Sequence, residues 1–182
     1  MIRAALLLAL VGASLGPLLD YLHVVTGAIR YPPPVRFVPW WVPLLYASAA
    51  VAIGLGHAAG DRLFRRAEAV PTRPRLAAGF AIFCAVWFAS GALPLGSAAV
   101  AAVLAAVSLA SWWWLDGSLF GLGQAALTAL AGCAVELTLS RAGLFAHTHQ
   151  DMLGLAWWLP WIYVAASVGV GNAGRWLVAQ RR

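Results

Sequence analysis

Charged residues are scarce in this chain, and the few that occur are clustered between long apolar stretches. Lys and Arg number 12 and Asp and Glu number 6, so 10% of the 182 residues are charged while 63% are apolar. A soluble domain carries about 25% charged residues. About six apolar stretches approach the roughly 20 residues that a helix needs to cross a hydrocarbon core. The composition excludes an ordinary soluble domain and predicts a polytopic α-helical membrane protein.

Lysine is absent and cysteine is rare. All 12 basic residues are arginine, and together with the abundant Ala and Gly this bias indicates a GC-rich coding genome. The net charge of +6 is compatible with nucleic-acid binding, but the arginines flank the apolar stretches, where they are better explained as topology signals. Cys84 and Cys133 lie inside apolar segments, which predicts small buried side chains and no disulfide or metal site.

Six spans and their loops use nearly the whole chain, which we expect to form one domain over residues 1–182, an all-α bundle of six transmembrane helices. The predicted spans are about 2–19, 39–59, 76–93, 97–115, 119–139 and 152–178. The first apolar run resembles a signal peptide, but it continues to Leu19 without an A-x-A cleavage site, which favours a retained span. Secretory cleavage near Ala13 is the alternative. No convincing internal repeat is evident.

The arginines orient the bundle. With six spans, both termini share one side of the membrane with the loops after spans two and four. That side holds Arg3, Arg62, Arg65, Arg66, Arg73, Arg75, Arg175, Arg181 and Arg182. The opposite side holds Arg30, Arg36 and Arg141. Because cytoplasmic loops carry an excess of Lys and Arg, we expect an integral membrane protein with both termini in the cytoplasm, and the composition favours a bacterial inner membrane.

Small residues recur at helical spacing on two spans. Gly12 and Gly16 form a G-x-x-x-G motif, and Ala165, Gly169 and Ala173 repeat every four residues. Lipid gives helices no hydrophobic reason to associate, so close backbone approach at small residues must supply the packing contacts. The motifs predict helix–helix interfaces and allow a homo-oligomer; chance in an Ala- and Gly-rich chain is the alternative.

Glu136 is the most informative single residue because it lies late in span five among apolar neighbours. A charged side chain at mid-membrane costs about 2.5–3.5 kcal/mol on insertion scales, so it should face protein or water. It is either a polar anchor or protonatable group in a cavity, or a carboxyl that is held neutral by a neighbouring helix or snorkels outward. Gln124, Thr128, Gly132 and Ser140 continue its four-residue spacing, and such a stripe lines a cavity or packs against another span.

Three residues of spans two and six are further pocket candidates. Pro43 and Pro160 are expected inside their spans, where each removes a backbone hydrogen bond. The resulting kink opens a crevice in a bundle, although an ordinary tolerated kink is an equal alternative. Asn172, among the glycines of span six, is a candidate buried amide.

Catalytic motifs are missing. His147 and His149 with Asp151 form an H-x-H loop beside one carboxylate, which is a weak metal signal without H-E-x-x-H or a cysteine pair. No G-x-S-x-G, Walker loop or G-x-G-x-x-G occurs. We therefore expect no enzyme and no cofactor.

Motifs of tryptophan, proline and aspartate occur in a specific order along the chain. In chain order the motifs are W-W-V-P at 40–43, D-R at 61–62, W-W-x-x-D at 112–116, F-G-L-G at 120–123, Asp151, W-L-P at 158–160 and G-N-A-G-R at 171–175. In order and approximate spacing this set resembles the Insig family, the sterol-sensing membrane proteins first known from animals. The resemblance covers about three quarters of the chain. Because the composition is also typical of bacteria, the chain resembles a bacterial Insig homologue.

The resemblance implies a non-enzymatic sensor or regulator with six helices around a membrane-open pocket that takes a sterol or another lipid, for example of the diacylglycerol type. Animal members retain sterol-regulated partners in the endoplasmic reticulum, and the acidic residue matched by Asp151 is implicated in that partner binding. Asp151 is accordingly the expected interaction surface, with the protein partner unknown.

The predicted ligand site combines few polar groups with apolar walls. We expect Gln124, Glu136 and Asn172 as polar groups, and the walls to be formed by Trp41, Pro43, Tyr46 and Trp158. The alternative from another class is a small transporter or channel that uses Glu136 as its coupling carboxyl. A membrane-embedded enzyme is a third, weaker alternative because no nucleophile–base set is present.

Overall fold

The computed structural model describes residues 1–32, 35, 37–64 and 70–180. Within these residues the chain forms six α-helices and two short strands. The elements are α1 (Ile2–Val25), β1 (Ile29–Arg30), α2 (Val42–Leu63), α3 (Arg73–Ala92), α4 (Ser97–Leu115), α5 (Leu119–Arg141), β2 (Ala146–His147) and α6 (Leu159–Ala179). The predicted all-α class and the six helices are confirmed.

Five of the helices, α1 to α5, are long and apolar enough to cross a membrane. The remaining helix, α6, lies at the centre of the bundle, where it packs against α2, α3, α4 and α5. Most of its residues are buried, including Asn172 and Arg175. Because a helix enclosed by other helices contacts protein instead of lipid, its composition tolerates such polar side chains.

The sixth helix begins later than predicted. Residues 152–158 form turns held by a backbone bridge between Met152 and Leu155, and Pro160 lies in the first turn of α6. Pro43 lies in the first turn of α2 in the same way. The prediction that these prolines interrupt their helices is therefore wrong. The first N–H groups of a helix have no intrahelical partner, so a proline removes no hydrogen bond there.

Small residues allow the helices to approach closely. A Cβ atom added to Gly174 of α6 would collide with the backbone of Gly54 in α2, and one added to Gly169 would meet the backbone of Gly79 in α3. A Cβ added to Gly12 of α1 would likewise collide with the backbone of α2. The packing role predicted for Gly12 and Gly169 is confirmed.

A buried ionic network ties together the C-terminal ends of α2, α4 and α6. Arg175 donates from Nε and Nη2 to the two carboxylate oxygens of Asp61 at 2.6 and 3.1 Å, and from Nη1 to Asp116 at 2.6 Å. All three side chains are buried. Such bidentate pairs are strong and directional, so the network fixes the three helix ends relative to one another.

A two-stranded ribbon joins the loops that follow α1 and α5. Strands β1 and β2 pair antiparallel, with Ile29 opposite His147 and Arg30 opposite Ala146. The ribbon therefore brings these two loops together beside the C-terminal ends of α1 and α5. Of the arginines on which the predicted orientation depends, Arg36, Arg65, Arg66, Arg181 and Arg182 lie outside the described residues.

Candidate functional site

A cavity of about 510 Å³ lies between the helices. Its walls come from α1, α2, α3, α5 and α6 and from the loops after α1 and α5. Most of the lining side chains are apolar, among them Leu15, Ile53, Phe83, Leu127 and Ile162. The volume falls in the range of small-molecule sites, about 300–1,000 Å³.

The cavity opens sideways between α2 and α5. Ala52 on α2 and Leu127, Ala131 and Val135 on α5 line the cavity and are also exposed on the outside of the bundle. In addition, α5 packs mainly against α6 and hardly against α2. Both helices are long and apolar enough to cross a membrane, so the opening lies between two candidate spans.

Asp20, near the end of α1, lies in the cavity wall with only 5% of its surface exposed. The hydroxyl of Tyr46 donates to its Oδ1 at 2.9 Å, and the hydroxyl of Tyr31 donates to its Oδ2. Burial, followed by the charge of Asp20, raises the pKa of Tyr31 well above its ordinary value. The Tyr31 hydroxyl therefore stays protonated and acts as a donor to the carboxylate.

Glu136, near the end of α5, has the same kind of environment. The hydroxyl of Tyr163 donates to its Oε1 at 2.6 Å, and Nε2 of His147 lies 2.9 Å from its Oε2. Each oxygen of this carboxylate thus has one partner from the protein. His147 is 1% exposed, and its Nδ1 has no hydrogen-bond partner among the residues that the structure describes.

The two carboxylates have equivalent surroundings, and we call each set a half-site: an acid on a helix, a partner from the loop that follows, and a tyrosine from a later helix. Each acid has one partner 11 residues further along the chain, Tyr31 for Asp20 and His147 for Glu136. A tyrosine follows 26 residues after Asp20 and 27 residues after Glu136. A local twofold axis that relates the two half-sites would pair their strands antiparallel, and β1 and β2 are paired in this way.

A glycine beneath each tyrosine completes the half-site. Gly16 and Gly132 each precede the acid by one helical turn. A Cβ added at Gly16 would enter the ring of Tyr46, and one added at Gly132 would enter the ring of Tyr163. Each ring therefore lies on a helix backbone, with its hydroxyl directed to the acid of the next turn.

A repeated sequence motif encodes these half-sites, and the expectation of no internal repeat is wrong. W-W-V-P-L-L-Y at 40–46 and W-W-L-P-W-I-Y at 157–163 both fit W-W-x-P-x-x-Y, and each follows a helix that carries G-x-x-x-D or G-x-x-x-E. Sequence reasoning missed Asp20, Tyr31 and Tyr163 as site residues. A comparison of the two tryptophan–proline motifs would have found Tyr163 as the counterpart of Tyr46.

A second polar group lies at the opposite end of the cavity from Asp20 and Glu136. Gln124, Thr128 and His57 line the wall, and Nε2 of His57 lies 2.8 Å from the Ser167 hydroxyl. Thr128 contacts the same hydroxyl at 3.3 Å. Ser167 itself is fully buried and does not line the cavity.

The structure brings four of the predicted pocket residues, Trp41, Tyr46, Gln124 and Glu136, into the cavity wall. The other three lie elsewhere. Pro43 is in the first turn of α2, and Trp158 is a buried N-cap residue whose ring packs against His147 and His23. Asn172 accepts a hydrogen bond from Arg175 at 3.2 Å.

Asp151 lies in the exposed loop before α6. It accepts a hydrogen bond from the hydroxyl of Ser97 and, at 3.3 Å, from the backbone N–H of Trp157. These contacts fix the carboxylate while leaving it accessible at the surface.

The motifs, the fold and the cavity can now be compared with known proteins. The sequence model of the family described as insulin-induced protein (INSIG) matches residues 3–178. The chain belongs to the Insig family. This confirms the family predicted from the tryptophan, proline and aspartate motifs.

Relatives and solved structures agree with the assignment to the Insig family. The insulin-induced gene 1 protein of Danio rerio is 31% identical over 188 residues, which cover 97% of this chain and 73% of that protein. The insulin-induced gene 2 protein of Xenopus tropicalis is also 31% identical, over 97% of this chain and 84% of that protein. The crystal structure of MvINS, a mycobacterial Insig homologue from Mycobacterium vanbaalenii, matches with a TM-score of 0.88 and 26% identity, over 100% of this chain and 97% of that chain. A cross-linked trimer of MvINS matches with the same TM-score.

Proposed function

We propose that this Insig-family protein binds a sterol or another membrane lipid, for example of the diacylglycerol type, in its cavity and acts as a sensor or regulator without catalysis. The observation that carries the proposal is an apolar cavity of about 510 Å³ that opens between α2 and α5 and ends at hydrogen-bonded polar side chains. A lipid has the matching form, with apolar tails and one polar end.

The few polar groups have to supply most of the selectivity. Moving an alkyl chain from lipid to an apolar protein wall gains little free energy, so shape and polar contacts decide which guest is preferred. Gln124 and Glu136 are our anchors for a hydroxyl or headgroup, and Asp20 joins them. Trp41 and Tyr46 form part of the surrounding wall.

Two serine–histidine contacts lie at the cavity among the described residues, and the position of both favours binding over hydrolysis. Ser90, which contacts His23 at 2.7 Å, is buried and does not line the cavity. Ser167 touches His57 at 2.8 Å, which is the spacing of a nucleophile and its base. However, the Ser167 hydroxyl is fully buried and also contacts Thr128, so a guest in the cavity cannot reach it. The carboxylates of Asp20 and Glu136 are already engaged by donors from the protein.

Native mass spectrometry after mild detergent extraction tests the proposal. We expect a co-purified lipid on the wild-type protein and its loss in Ala131→Trp, because Ala131 lines the cavity at its opening. Ala126→Trp is the matched control, since Ala126 is also exposed on α5 but does not line the cavity. Absence of lipid from the wild-type protein, or equal lipid on both variants, would overturn the proposal.

A small transporter is the second candidate, because Glu136 shares the cavity with a second carboxylate, Asp20. Paired acids are typical of coupling sites in transporters. Against this, Arg175, Asp61 and Asp116 form a buried network that does not line the cavity, so the described cavity wall does not connect Asp20 and Glu136 to that network. Substrate uptake into proteoliposomes that is lost in Glu136→Gln would favour transport.

The location and assembly of the protein form part of the same proposal. We place it in a bacterial inner membrane with both termini in the cytoplasm, as the arginine distribution indicates. A homo-oligomer is consistent with the cross-linked trimer of MvINS. The exposed Asp151 carboxylate is our proposed contact for a protein partner. Labelling of cysteines introduced at the exposed positions Arg3 and Asp151 with a membrane-impermeant reagent, in intact and in permeabilised cells, would test the orientation.

A further inference from the structure

We propose that the cavity prefers a guest with a protonated amine, held between Asp20 and Glu136, so that the ligand is an amphiphile with an apolar tail and an ammonium head. This inference rests on the proposed lipid-binding function and names the headgroup. It follows from three observations: the charge of the cavity wall, the free hydrogen-bond acceptors, and the aromatic rings beside them.

Among the described residues, the wall of the cavity carries two carboxylates and no arginine, and the chain has no lysine at all. Tyr31, Tyr46 and Tyr163 donate to these acids, but they are neutral groups and do not cancel the charge. An uncompensated charge in a low-dielectric site is costly, whereas an ion pair with further hydrogen bonds offsets that cost. A cationic ligand therefore matches the negative charge of the cavity wall.

Three histidines line the cavity wall among the described residues, and each already has a partner in the protein. Nε2 of His147 lies 2.9 Å from Oε2 of Glu136, and this side chain is 1% exposed. The other histidines of the wall are His23, which contacts Ser90 at 2.7 Å, and His57, which contacts Ser167.

The acceptors that remain fit an ammonium group. Each oxygen of Asp20 and Glu136 has one hydrogen-bond partner from the protein, and a carboxylate oxygen has two lone pairs. A primary ammonium has three N–H donors and no acceptor. It can therefore donate to several of these oxygens, whereas an alcohol has only one hydrogen to give and a fatty-acid carboxylate has none.

Aromatic rings lie beside the carboxylate of Asp20. The centroid of the Tyr31 ring lies 6.1 Å from that of Trp41 and 6.2 Å from that of Phe145, and all three side chains line the cavity. The faces of such rings attract a cation, more strongly where water is excluded. The same rings offer an anionic head no comparable attraction.

A metal ion is a less suitable cation for this site. The described part of the chain contains no group of three or more His, Cys, Asp or Glu side chains that could hold one. Asp20, Glu136 and His147 are therefore not arranged as a three-ligand metal site. An ammonium head needs only hydrogen-bond acceptors, which the two acids supply.

A comparison of three probes with the same tail tests the inference. Dodecylamine, 1-dodecanol and dodecanoic acid would be titrated at pH 7 against the full-length protein in a neutral detergent, and native mass spectrometry would count the bound molecules. We expect dodecylamine to bind about tenfold more tightly than 1-dodecanol, and dodecanoic acid to bind least, because the ammonium makes charge-assisted hydrogen bonds to the wall.

Variants assign the preference to the two acids. Asp20→Asn and Glu136→Gln should each reduce the preference for the amine, and the double variant should abolish it, so that dodecylamine and 1-dodecanol bind alike. Asp151→Asn, which removes a carboxylate outside the cavity, should have no effect. An amine preference that persists in the double variant would overturn the inference, since the amine would then be bound elsewhere.

The outcomes separate this inference from the proposed function. Equal binding of the three probes by the wild-type protein, or a preference for dodecanoic acid, would overturn the amine preference and leave lipid binding intact. Failure of every probe to bind, together with no lipid on the wild-type protein, would overturn both. Binding of the three probes, which differ only in their polar head group, to the wild-type protein decides the inference even if the double variant fails to fold.

Discussion

The ring of Tyr163 lies directly on the backbone of Gly132, so closely that a Cβ atom at this position would enter the ring. The contact places the tyrosine hydroxyl 2.6 Å from Oε1 of Glu136, one helical turn further along α5. A glycine thus sets the position of a hydrogen bond to a carboxylate in the cavity wall. The same relationship recurs between Gly16, Tyr46 and Asp20.

Gly132→Ala should destabilise the protein. The added methyl group has to displace the Tyr163 ring, and overpacking of this kind costs about 1–3 kcal/mol. Thermal unfolding in detergent would measure the loss. Gly123→Ala on the same helix is the control, because a Cβ there meets nothing within 4 Å. A Gly132→Ala protein as stable as the control would contradict the contact.

Tyr46→Phe and Tyr163→Phe should each remove one hydrogen bond to a carboxylate. Hydrogen bonds to charged groups contribute about 1.5–3 kcal/mol, so we expect a lower free energy of unfolding for both variants. Tyr21→Phe is the matched control, because the structure gives its hydroxyl no hydrogen bond within the described residues. Stabilities that equal the control in both variants would argue against the two half-sites.

Arg175→Gln should be the most destabilising of these changes. It removes the guanidinium that pairs with Asp61 and Asp116, and removal of one partner of a buried ion pair costs about 3–5 kcal/mol. Arg141→Gln, at the exposed end of α5, should be neutral. Thermal unfolding of the two variants side by side is the measurement, and a small loss in Arg175→Gln would mean that the network does not hold the helix ends together.

The network should also make stability depend on pH. Burial works to raise the pKa of Asp116, but hydrogen bonds from Ser118 and Arg175 outweigh it and hold the pKa below the ordinary value of 3.8. A lowered pKa in the folded state contributes stability above the unfolded value, and this contribution is lost as the pH falls through the folded value. Unfolding temperature should therefore fall below about pH 4, and Asp116→Asn should weaken that dependence. An identical pH profile for the variant would contradict this assignment.

Much of the fold could be predicted from sequence because the bilayer imposes simple rules. Length and apolar composition specified the helices, and small residues marked the interfaces at Gly12 and Gly169. The start of α6 at Leu159 was missed because residues 152–158 are as apolar as a helix, although Pro160 favours a first turn. Hydropathy alone does not distinguish a turn from a helix at a span end.

The candidate site was only partly predictable. Glu136 and Gln124 were recognisable as polar residues in an apolar span, whereas Asp20 lies at the end of span one and was taken as its boundary. Tyr31 and His147 reach the cavity through pairing of β1 with β2, and a pairing between two-residue strands leaves no periodic signal. The repeated W-W-x-P-x-x-Y motif was the signal that links both halves.

A high-resolution structure of the protein in lipid, purified without added ligand, tests the central claim most directly. We predict elongated density in the cavity beside α5, with its polar end between Tyr46 and Tyr163. A cavity closed by side-chain packing, with Glu136 turned towards the bilayer and no bound molecule, would contradict the account.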